Sequence, residues 1–150
     1  MVETSNFAVN KFRFLLGENI HVREKFEGVT PAMTQENDGI ASNGYYTAIP
    51  WKDVSTVAVF PSVKFTKFDA GVKLIKGHKG AITDVQFSPF AKQLLATSSE
   101  DSTIKLWVLS NPRGIDEHML HPAAELMGHS KKVIGVQWHP IVNNMLASVS

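Results

Sequence analysis

Residues 82–87 read Ile-Thr-Asp-Val-Gln-Phe, and residues 133–138 read Val-Ile-Gly-Val-Gln-Trp. Both stretches alternate with a period near two and are rich in β-branched and aromatic residues. Each runs into a proline, Pro89 or Pro140. This pattern predicts a strand that stops where the chain can no longer donate to a ladder. Residues 94–99 predict a second strand, 103–108 a third and 123–127 a short fourth. In the third, Ile104 and Leu106 fall on one face and Trp107 on the other. Glu100, Asp101 and Ser102 predict a tight turn, because short polar side chains bond back to the backbone there. Asn111-Pro112-Arg113-Gly114 marks a loop. Four strands with short turns describe one blade of a propeller.

The blade recurs. Gly77-His78 returns as Gly128-His129, an offset of 51 residues. In that register, with no gap, Ile75 meets Leu126, Ile82 meets Val133, Val85 meets Val136 and Phe87 meets Trp138. Pro89 then meets Pro140, Leu95 meets Leu146, Ala96 meets Ala147 and Ser99 meets Ser150. Self-similarity at a fixed period of this length is the mark of a repeat architecture.

The first 76 residues are less regular. Residues 11–17 predict a strand that is free to close a ring elsewhere. Residues 29–34, 44–50, 56–61 and 72–76 predict four strands of a degenerate first blade. Asn43-Gly44 is a turn signal. The expected organisation is an N-terminal segment over 1–28, a degenerate blade over 29–76, a second blade over 77–127 and the start of a third over 128–150.

Composition narrows the function. The 150 residues are 43% hydrophobic, which excludes wholesale disorder, and the formal net charge of +1 argues against a general nucleic-acid binder. No cysteine is present, so a disulfide framework and a thiolate metal site are excluded. No apolar stretch is long enough to span a bilayer, and the N-terminus shows no apolar signal-peptide core. No phosphate-cradling glycine loop occurs. His78, Ser99 and Asp101 are the residue types of a hydrolase triad, but their repeat positions inside a blade point to structure. His118 and His121 lack a third ligand spaced nearby and read as a solvent-exposed loop. No catalytic, cofactor or metal site is expected.

The string Gly77-His78, Ile82, Val85, Phe87-Ser88-Pro89, Leu95-Ala96, Ser99, Asp101 and 103–107 resembles the WD-repeat consensus. Val108 stands where an Asp usually follows the Trp. The resemblance implies a buried hydrogen-bonded tetrad of His78, Ser99, Asp101 and Trp107, with His129 and Ser150 as its beginning in the next unit. Lys11-Phe12-Arg13, Gly17, Phe26-Glu27, Val29, Gly77-His78-Lys79-Gly80, the loop 110–115 and Glu125 to Val133 narrow the likeness to the coronins. That resemblance implies an all-β WD40-type propeller of about seven blades, of which this chain supplies about two and a half. It therefore reads as part of a longer protein, with a short chain that closes by oligomerising as the rival. It also implies a non-catalytic platform in the cytoplasmic actin cytoskeleton, with actin filaments and other cytoskeletal proteins as partners. The alternative is a generic WD-repeat scaffold not specific for actin. Lys64, Lys67, Lys131 and Lys132 are candidate filament contacts. Coronins commonly carry a basic residue after the Phe26-Glu27-Gly28-Val29 string, where this chain has Thr30.

Overall fold

The computed structural model describes residues 27–32, 39–62, 74–109 and 121–150. These form ten strands in three antiparallel sheets. The first sheet is β1 (Ala41–Ser42), β2 (Tyr46–Pro50), β3 (Thr56–Pro61) and β4 (Leu74–Lys76), in that order. The second is β5 (Ile82–Phe87), β6 (Leu94–Ser99), β7 (Thr103–Val108) and β8 (Ala124–Met127), also in chain order. The third pairs β9 (Gly135–Trp138) with β10 (Leu146–Val149).

The sheets stack, and the period-two pattern explains how. Tyr46, Ala48, Val57, Val59 and Ile75 of the first sheet pack with Ile82, Val85, Leu95 and Trp107 of the second. The opposite face of the second sheet sends Ala96 and Ile104 against Val133, Val136 and Trp138. Ile49, Trp51 and Ala58 gather on the other face of the first sheet. Strands covered on both faces lose the polar alternation of a half-exposed strand. That is why β2 is buried along its whole length.

The junctions between sheets repeat like the sequence. The Ile82 N–H donates to the Val54 carbonyl at 2.7 Å, and the Val133 N–H to the Ser99 carbonyl at 3.1 Å. Val133 is one repeat period on from Ile82. In both cases the start of one unit is pinned to the second-to-third-strand turn of the unit before. Asp84 adds a second tie, accepting the Val136 N–H at 3.0 Å, and the Trp138 indole donates to the Gln86 carbonyl at 3.1 Å.

Of the expected strand over 29–34, residues 29–32 form no strand beyond a single bridge, and residues 33–34 lie outside the described residues. Pro31 makes an isolated bridge with Trp51, and Ala41 pairs opposite Ala48. Gly44 and Tyr45, expected in a strand, belong to the turn. The Asn43 carboxamide oxygen accepts the Tyr45 and Tyr46 N–H groups at 3.0 and 2.8 Å, and Gly44 takes a positive φ of 81°. The expected strand over 11–17 lies outside the described residues.

Candidate functional site

A directed relay of hydrogen bonds runs through the second sheet. Asp101 in the β6–β7 turn can only accept, so its Oδ2, 2.9 Å from His78 Nδ1, fixes the proton on that nitrogen. The other ring nitrogen, Nε2, then accepts from the Thr97 hydroxyl at 2.8 Å. Thr97 in turn accepts the Trp107 indole N–H at 2.9 Å. Trp107 and Thr97 are fully buried, and His78 nearly so. The chain thus ties the approach to β5, the β6–β7 turn and the middle of the blade into one unit.

The bridging hydroxyl is therefore Thr97, not Ser99 as the sequence suggested. The two lie two positions apart on β6, so they share a face. Ser99 sits at the strand end, and its hydroxyl accepts the Asp101 N–H at 3.2 Å within the turn. Thr97 lies one pleat deeper, diagonal to Trp107 across the β6–β7 ladder. Nothing in this arrangement resembles an acyl-transfer site: the hydroxyl facing the imidazole is sealed beneath Trp107.

Charge is arranged to suit a neutral imidazole. Burial pushes the His78 pKa down, and nearby Lys105 adds to this against the raising effect of Asp101. Burial would raise Asp101, but hydrogen bonds from the Thr103 hydroxyl, the Lys79 N–H and His78 outweigh it and hold the carboxyl well below its ordinary range. Lys105 is itself buried and reaches Glu125 of β8 at 2.8 Å.

The third unit repeats the start of the relay. His129 Nδ1 lies 2.9 Å from the Ser150 hydroxyl and Nε2 lies 2.8 Å from that of Ser148. Ser148 is one period on from Thr97. Here His129 is half-buried, and Ser148 and Ser150 are exposed. In the first unit Asp53 makes the same kind of turn as Asp101, accepting the Ser55 N–H at 3.0 Å and hydroxyl at 2.9 Å. No imidazole faces it among the described residues.

Known proteins resemble this chain. Residues 71–108 match the family model "WD domain, G-beta repeat". The coronin-like protein crn1 of Schizosaccharomyces pombe is 32% identical over 146 residues, which is 94% of this chain and 24% of that protein. Coronin-2A of Bos taurus is 30% identical, covering 93% of this chain and 27% of its own length. The crystal structure of the WD40 domain from Toxoplasma gondii coronin superposes with a TM-score of 0.76 at 31% identity, over 83% of this chain and 32% of that one. These similar proteins are coronins. The chain spans about a quarter of the length of these two coronin relatives.

The coronin likeness directs attention to the end of the sheets where each unit begins. Lys131 and Lys132 lie exposed on the β8–β9 connection, at that end. Lys79 is exposed on the β4–β5 connection. Lys64 and Lys67 lie outside the described residues, as does His118, while His121 is exposed. Thr30 is exposed at the same end, and its carbonyl accepts the Lys52 N–H at 3.0 Å. Lys52 went unnoticed in the sequence. It sits in the β2–β3 turn with φ of 55°, its ammonium 5.8 Å from the Trp51 ring centre. Only pairing of 30–32 with 50–52 brings it beside Thr30, and no local motif signals that pairing.

Proposed function

We propose that this chain forms part of a non-catalytic, coronin-type platform that binds actin filaments in the cytoskeleton. The observation that carries this reading is the likeness to coronins over more than nine-tenths of the chain. The exposed lysines at the unit-start end support it. Opposite charge at the rim of an interface speeds encounter and fixes register more than it adds raw affinity. In this reading Lys52 supplies a cation beside Thr30, where coronins commonly have a basic residue, and Lys131 and Lys132 extend the contact along the same end. His78, Asp101, Trp107, Thr97, His129, Ser148 and Ser150 hold the blades and do not touch the filament; Ser99 serves the turn.

The test is cosedimentation with filaments of the chain and of the double variant Lys131→Glu, Lys132→Glu. The reading expects the variant to pellet several-fold less at low salt while melting at the same temperature. Equal pelleting of the two proteins would remove these lysines from the interface.

A further inference from the structure

The opposite end of the sheets carries a second surface. There the first-to-second-strand turns of all three units project, and each exposes a large apolar side chain. These are Tyr45 in the first unit, Phe90 in the second and Ile141 in the third, the last 80% exposed. Ile141 is one period on from Phe90, so the repeat itself places them. Single exposed apolar residues are ordinary; what distinguishes this end is the cleft between its first two turns.

Between the first two of these turns lies a preformed cleft with two lobes. One lobe, about 460 Å³, is walled by Tyr45, Pro61 and Phe90. The other, about 550 Å³, is walled by Ile40, Asn43 and Phe87. Tyr45 and Lys92 line both lobes and form the ridge between them. The turns are locked together: the Asn43 carboxamide donates to the Lys92 carbonyl at 2.8 Å while its oxygen holds the first turn. A cleft held open in this way has little ordering left to lose when it is filled.

Lys92 decides what could fill it. Its ammonium lies 4.0 Å from the Tyr45 ring centre and donates to the Tyr45 hydroxyl at 2.6 Å. Both partners are neutral, and the ammonium meets no carboxylate among the described residues. An exposed cation between the apolar Tyr45–Phe90 lobe and the mixed polar lobe beside it is complementary to a carboxylate next to a bulky apolar group. We infer that this cleft docks an extended segment of a partner protein, with an apolar side chain in the Tyr45–Phe90 lobe and an adjacent Asp or Glu on Lys92. The surface is at the other end of the sheets from Lys131 and Lys132, so it is independent of the filament reading.

The test is selection of a random peptide library, displayed on phage, against the immobilised full chain and against Lys92→Glu. The wild-type selection is expected to enrich a bulky apolar residue next to an acidic one. The Lys92→Glu selection is expected to replace the acidic residue by Lys or Arg. Phe90→Ser, at an exposed site, is expected to weaken the selected peptide by about tenfold. A consensus unchanged by Lys92→Glu, or no enrichment above background, would overturn the assignment. So would dimerisation of the chain that Lys92→Glu abolishes, since the occupant would then be a second copy.

Discussion

Thr97 and Ser99 show what a single residue contributes here. Thr97 is hydrogen-bonded on two sides inside the blade, whereas Ser99 serves one backbone N–H at the turn. Thr97→Val leaves the Trp107 N–H and His78 Nε2 both buried without a partner, at about 1–3 kcal/mol for each group. Ser99→Ala removes one turn hydrogen bond and costs about 1 kcal/mol. Denaturant melts of the two variants check this ordering, with Thr97→Ser expected to recover most of the loss. Equal losses would mean that the relay does not run through Thr97. The WD-repeat resemblance implied that an imidazole, a carboxylate, a hydroxyl and an indole belong together. It did not show which of two same-face hydroxyls lies at the right depth, because period two makes them equivalent until the turn is built.

The relay also sets a pH dependence. His78 in the folded chain protonates below the ordinary histidine value of 6.5. Between those values the unfolded chain binds the extra proton and the folded one does not. Stability is therefore full above about pH 6.5 and declines as pH falls toward the folded value. A second decline begins near the ordinary aspartate value of 3.8, as the unfolded chain takes the proton that folded Asp101 resists. Melting temperatures measured from pH 8 to pH 5 are expected to fall on the acid side; a flat profile would show that His78 is not held neutral.

At the scale of the element, close approach separates two glycines that look alike. A Cβ on Gly80 would stand 2.8 Å from the Asp101 backbone nitrogen and 3.2 Å from the Glu100 carbonyl carbon, so the β4–β5 connection and the β6–β7 turn could not pack as they do. A Cβ on Gly128 would meet nothing within 4 Å. Gly80→Ala is expected to cost about 1–3 kcal/mol, as overpacking typically does, and Gly128→Ala to lie within about 0.5 kcal/mol of wild type. Thermal melts of the pair check the contrast. Elements β5, β6 and β7 were legible in the sequence because each is a short run bounded by Pro89, by the Glu100-Asp101-Ser102 turn or by a loop, and because β5 recurs at the repeat offset. The first strand was not, because its two paired residues, Ala41 and Ser42, are too few to carry a period.

At the scale of the molecule, the repeat register was enough to order the second sheet and start the third, since each unit must bury its faces against its neighbours. The lysines of the unit-start end were visible as residues but not as a surface; Lys52 joins them only through the Thr30 contact. The likeness to coronins and this basic end lead to the same expectation, attraction to an acidic filament that ionic strength screens over roughly 8 Å at physiological salt. The most direct measurement is cosedimentation of the chain with actin filaments across a series of salt concentrations. The account predicts pelleting at low salt that fades steadily as salt rises. A chain that stays in the supernatant at the lowest salt would contradict it.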